Sequence, residues 1–189
     1  MTHTPKKTSH AFTLIETVIV IGIGTIMFII LSALIYNFHK TSEYQQTILQ
    51  SSGSASAIVK EVEALTLPAS AVLQTHIFSD ATRTSTTTTL VLEIPSIDSS
   101  GNIVPNAYDY AAFYTTGTEA YRLLETHAAS HRTPGRKKLS STVSSLTFSY
   151  NNTDVTQTSI VTVDARMQAQ AKQELIYDHR QQQIRLRNH

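Results

Sequence analysis

The chain has 189 residues and a formal charge of +1, with 15 Lys and Arg against 14 Asp and Glu. That length suits one domain with an appendage, and near-neutrality leaves too few cations for sequence-independent nucleic-acid binding, which neutralises many phosphates. The absence of Cys excludes a disulfide framework, a thiolate metal site and a thiol nucleophile, while 27 Thr and 20 Ser stand where charged residues usually do, a composition suited to exposed β-structure.

The first element is a polar leader, residues 1–11, which carries Lys6 and Lys7 and no acidic residue. Next comes an apolar span. From Thr17 to Tyr36 there is no Asp, Glu, Lys, Arg or His, and a helix of that length, rising ~1.5 Å per residue, matches the ~30 Å hydrocarbon layer of a bilayer. No small-residue cleavage site follows Tyr36, where the sequence reads Asn37-Phe38-His39-Lys40, so the span is expected to be kept as an anchor. Positive charge flanking a span stays cytoplasmic, which predicts a single-pass protein with its C-terminal part extracytoplasmic. Glu16 breaks the pattern at the lip of the span. A carboxylate within a helix in the hydrocarbon costs about 2.5–3.5 kcal/mol and calls for a partner. The chain offers no Lys or Arg within one turn on the apolar side, so the cation has to come from elsewhere, and a newly made N-terminal amine is one candidate.

The string Ala11-Phe12-Thr13-Leu14-Ile15-Glu16, with the basic leader before it and the apolar span after it, resembles the cleavage and methylation site of type IV pilins and of the pseudopilins of type II secretion. The resemblance covers only the N-terminal region. It implies that a prepilin peptidase cuts between Ala11 and Phe12 and that the new amine of Phe12 is N-methylated. It also implies that Glu16, at the fifth mature position, pairs with the Phe12 amine of a neighbour and sets the axial register. The implied partners are other pilin or pseudopilin subunits, an inner-membrane assembly platform and membrane lipid. Two departures stand out. Ala11 occupies the place where the family usually has Gly, and the span lacks the Pro found in many pilins, so local melting in a filament would begin at Gly22 and Gly24.

Past the anchor the pattern stays helical and turns polar. Tyr44, Ile48, Ala55, Ile58, Val62 and Leu65 recur at steps of three, four or seven and share a face. Ser51-Ser52-Gly53-Ser54 interrupts that stripe, and Pro68 ends it. One helix over 12–65 is therefore expected, transmembrane over 12–36 and amphipathic over 37–65, followed by a β-rich domain over 66–189. In that domain the period becomes two. Leu90, Leu92 and Ile94 form one alternating set. Tyr108, Tyr110, Ala112 and Tyr114 form another, and Thr116-Gly117 links it to a strand through Tyr121 and Leu123 as a β-hairpin. Arg136-Lys137-Lys138 after Thr133-Pro134-Gly135 reads as a solvated loop or a docking patch. Leu146, Phe148 and Tyr150 share a face, Asn151 to Asp154 make a turn, and Val161, Val163 and Ala165 precede a last strand through Ile184 and Leu186. The fold class is α+β, a long helical spine against an antiparallel sheet of six or so strands in a pilin-like arrangement.

No constellation for catalysis stands out, and no cofactor or metal is expected. His127 and His131 lie four apart but in a loop, without the acidic residue of a metalloprotease pattern. No Gly-rich phosphate loop and no Gly-x-Ser-x-Gly elbow occurs. Asp98, Asp109, Asp154 and Asp164 lack the spacing of a calcium loop and read as turn and strand-end carboxylates. The expected function is a minor pilin or pseudopilin, a structural filament subunit and not an enzyme. The alternatives are a pilus-tip module for adhesion or DNA capture, or a membrane-tethered extracytoplasmic binding protein. Residues 66–189 hold 11 basic and 10 acidic side chains, a balance that gives no support to nucleic-acid binding.

Overall fold

The computed structural model describes residues 13–171 and 174–187. The leader lysines Lys6 and Lys7 and the cut site at Ala11 and Phe12 lie outside the described residues. Among the described residues a helix α1, Leu14–Thr66, is followed by ten strands: β1 Ala71–Val72, β2 Thr75–Ile77, β3 Thr82–Thr84, β4 Thr89–Ile97, β5 Ile103–Thr116, β6 Glu119–Glu125, β7 Gly135–Ser140, β8 Val143–Tyr150, β9 Ile160–Ala171 and β10 Glu174–Arg185. The chain divides into two compact units, Met1–Tyr44 and Gln45–His189. The head unit thus takes in the second half of α1.

In the first unit the large apolar side chains from Leu14 to Phe38 are each at least half exposed. The helix here is long and apolar enough to cross a membrane. Its hydroxyls turn inward to the backbone: Thr17 donates to the Thr13 carbonyl at 3.3 Å and Thr25 to the Ile21 carbonyl at 2.8 Å. Such bonds satisfy polar groups that lipid could not. The helix runs unbroken through Gly22 and Gly24.

In the head unit α1 also continues through the Ser51–Ser54 interruption. Packing is the reason: Ser51 and Ala55 are buried with Ile58, Val59, Val62 and Leu65. That burial outweighs a propensity loss of about 1 kcal/mol at Gly53. The apolar stripe is covered only from Ser51 onward, since Tyr44 and Ile48 remain 41% and 38% exposed.

The strands form two antiparallel sheets and a hairpin where one sheet of about six strands was expected. The larger sheet has the order β1-β4-β5-β6-β7, the smaller β10-β9-β8, and β2-β3 pair alone. Leu90, Leu92 and Ile94 of β4, Ala111 and Phe113 of β5, and Leu146, Phe148, Val161, Val163 and Ala165 of β8 and β9 form one core with the helix stripe. The opposite face of the larger sheet carries a smaller cluster, in which Phe78, beside the β2–β3 hairpin, covers Val91, Ala112, Tyr114 and Leu123. Alternation within β5 therefore buries both faces. Gly117, with a left-handed φ of 61°, turns the β5–β6 hairpin.

The Arg136-Lys137-Lys138 run is not a loop but edge strand β7, with Lys137 opposite Arg122 and Lys138 opposite Tyr121. Its charges find partners. Lys137 Nζ donates to Glu61 Oε2 at 2.9 Å, and Arg122 donates to Glu61 Oε1 at 2.7 Å, tying the sheet to α1. Lys side chains also blunt an edge that would otherwise recruit further strands. Because Glu61 bridges two cations while largely shielded, Glu61→Ala is expected to destabilise the head by about 2 kcal/mol. Thermal unfolding of the full chain in detergent measures this, and an unchanged midpoint would refute it.

Candidate functional site

Glu16 lies in the first turn of α1 and is exposed. Its backbone N–H reaches Thr13 Oγ1 at 3.4 Å, and Thr17 N–H donates to the Thr13 carbonyl at 3.1 Å. Thr13-x-x-Glu16 therefore has the spacing of a helix-capping box, with Thr13 as cap and Glu16 at the third helical position. A carboxylate there also faces the positive end of the helix dipole. The sequence showed this in plain sight, since Thr three residues before Glu ahead of an apolar run is an N-terminus signature. It gives Glu16 a local role beside any intermolecular one. Among the described residues no cation or donor contacts its carboxylate.

The head holds a second acidic centre. Asp109 is wholly buried in β5. It accepts hydrogen bonds from Ser96 Oγ at 2.7 Å, His127 N–H at 2.9 Å, Ser130 Oγ at 2.7 Å and Arg132 at 2.6 Å. Arg132 also donates to the Pro95 carbonyl at 2.7 Å. Burial pushes the Asp109 carboxyl up, but these bonds together outweigh it and hold the group below the usual range. The arrangement locks the β6–β7 loop to β4 and β5. It does not make a catalytic dyad, because the His127 ring turns away and its Nδ1 accepts from Ala129 N–H at 3.2 Å.

The other three aspartates are turn and strand groups. Asp98 caps its own turn by accepting from Ser100 and Asn102 N–H at 2.8 and 2.9 Å. Asp154 caps a short 3-10 turn over Val155–Gln157. Asp164 meets Arg166 and His179 at 3.2 and 3.1 Å. Among the described residues no group of three His, Asp or Glu side chains is placed to hold a metal. His127 and His131 do not join in one.

Aromatic and basic side chains do assemble on the outer face of the larger sheet. The Arg83 guanidinium stacks 3.6 Å from the Tyr114 ring, Tyr114 stacks on Tyr121 at 5.7 Å, and Arg136 covers Tyr121 at 3.7 Å. His76 stacks 3.8 Å from Tyr110 beside Phe78, and burial pushes the His76 imidazole down. Tyr114 is only 6% exposed, so its ring is covered within the chain and offers no platform for stacking a base. A cleft of about 400 Å³ beside Gly117 is lined by Thr118, Ser141, Thr142, Ser144 and Gln168 among others, with no ionisable side chain. General acid–base chemistry has no group to work with there.

These features define a class: an α+β head carried by one helix able to cross a membrane. No family model, curated protein or solved structure matches the chain.

Proposed function

We propose that this chain is a non-enzymatic filament subunit, a minor pilin or pseudopilin. In this reading it is cut before Phe12 by a prepilin peptidase, anchored with its head extracytoplasmic, and then added to a filament through α1. The observation that carries it is the exposed Glu16 carboxylate on the first turn of α1, at the head of a span from Thr17 to Tyr36 that holds no charged residue. In a filament such helices bundle, and the apolar side chains now exposed pack against protein. Glu16 then needs a buried cation, and the methylated Phe12 amine of a neighbour supplies it. The pair cancels two charges and fixes the axial step between subunits.

Mass spectrometry of the membrane-associated chain tests the processing. The expected mature chain begins at Phe12 with a methylated amine. An intact Met1 in chains recovered from filaments would overturn the reading. The covered aromatics and the balanced charge of the head give DNA capture no support.

A further inference from the structure

We infer that, independently of assembly into filaments, the open edge of β10 is a docking site for an extended segment of another protein. That segment adds antiparallel to the smaller sheet and carries an acidic residue and, two positions on, a basic one.

β10 lies at one edge of the smaller sheet, in the order β10-β9-β8. It pairs with β9 residue for residue over 12 positions without a bulge. One step past that ladder, Leu186 N–H donates to the Ser159 carbonyl at 2.9 Å. Backbone groups alternate sides along an antiparallel strand, so even-numbered residues of β10 bond to β9 and odd-numbered ones face the other way. Arg187 N–H agrees, donating to the Leu67 carbonyl at 2.9 Å. The N–H and C=O groups of Tyr177, His179, Gln181 and Gln183 therefore line the free edge, and among the described residues none has a hydrogen-bond partner.

The other edges of the two sheets are guarded. β1 has only 2 residues, and β7 carries Arg136, Lys137 and Lys138. β8 is capped where Val143 and Phe148 N–H donate to the Thr118 and Thr87 carbonyls, both at 2.8 Å. β10 has length and regularity instead, together with two charges on its inner side, Asp178 and Arg180, in line with the buried Ile176 and Ile184. Such charges turn away an indifferent strand and admit one whose charges complement them.

Both charges await partners. Asp178 Oδ2 is shielded from solvent without a hydrogen-bond partner among the described residues. Arg180 Nη2 reaches Ser52 Oγ at 3.4 Å. On an added antiparallel strand, the residues opposite Asp178 and Arg180 form non-hydrogen-bonded pairs, with Cα atoms about 4.5 Å apart and side chains at their closest. Opposite charges there are favourable and like charges are not. An antiparallel partner meets Arg180 before Asp178, which orders its residues as acid-x-base. A second copy of β10 also reads acid-x-base, at Asp178-His179-Arg180, but that register sets Gln182 opposite Ile176 and Glu174 opposite Ile184. A partner with apolar residues at those two places fits better, which favours another protein over a second copy.

The chain has no Cys, so disulfide tethering at one introduced thiol is clean. The full chain carrying His179→Cys, in detergent, is exchanged in glutathione buffer with the capped peptide Val-Thr-Thr-Thr-Glu-Cys-Arg-Thr-Val, whose Cys falls opposite position 179. A control peptide has its Glu and Arg interchanged. The expected result is about tenfold more capture of the first peptide, with slowed amide exchange at Tyr177, Gln181 and Gln183. Adding Asp178→Arg and Arg180→Asp to the chain should reverse the preference. Equal capture of both peptides would overturn the inference, and so would a preference without amide protection. Disulfide-linked pairs of chains that form in place of peptide capture would assign the edge to a second copy and overturn it as well.

Discussion

Glu16→Gln is expected to leave the chain in the membrane and out of filaments. Glutamine keeps the capping geometry that Thr13 and Glu16 share, since Gln serves as well as Glu at the third position of the box. It removes only the charge. Were helix capping the whole role of Glu16, Gln would be nearly neutral, and Ala would cost well under 1–2 kcal/mol through the cap and dipole terms. Were a buried pair with a neighbour's amine the role, both substitutions would strand a cation at about 3–5 kcal/mol. At 1.4 kcal/mol per tenfold, incorporation would then fall by about 100-fold or more. The measurement is the ratio of each variant in sheared filaments to that in membranes, by quantitative immunoblot. Wild-type incorporation of Glu16→Gln would remove the electrostatic argument and the proposed function with it.

The legibility of the sequence varied with the range of the interactions involved. The membrane-capable helix was fully visible, because twenty residues without charge need no tertiary information to interpret. The alternations in β4, β5, β8 and β9 were visible for the same local reason. The second buried face of the larger sheet was not. Tyr110, Ala112 and Tyr114 are covered by a hairpin whose register depends on contacts such as Arg83 on Tyr114 and Ser79 N–H to Glu125 Oε1 at 2.6 Å. No periodicity announces such pairs. Strand β7 was hidden because Arg136, Lys137 and Lys138 look like solvent-facing residues until Tyr121, Glu61 and Glu119 are placed opposite. The role of Asp109 was not visible. It reads as a turn or strand-end carboxylate, but it lies within β5, wholly buried and on the same side of the strand as the core residues Ala111 and Phe113, where a lone acid needs a cation. Which cation it takes, Arg132, is a matter of loop closure that the sequence alone does not fix.

That buried ion pair carries the second large expectation. Asp109→Asn should lower the thermal midpoint of the full chain in detergent by about 10 °C, from a loss of about 3–5 kcal/mol. The neutral amide leaves Arg132, with only 14% of its side chain exposed, uncompensated in place. It also turns donors toward donors at Ser96 and Ser130. If the damage comes from the stranded guanidinium, adding Arg132→Leu to Asp109→Asn should recover part of it, and the two substitutions will be strongly non-additive. The pH dependence follows from the direction of the shift. The folded state holds the Asp109 carboxyl below its unfolded value of about 3.9, so the unfolded chain binds the proton more readily. The stabilisation is therefore complete above the unfolded pKa and disappears as pH falls through the folded one. The gap between wild type and Asp109→Asn should narrow steadily below about pH 4. A gap that stays constant down to acid unfolding would show that the carboxylate's charge does not hold the β6–β7 loop, and that the site acts through shape alone.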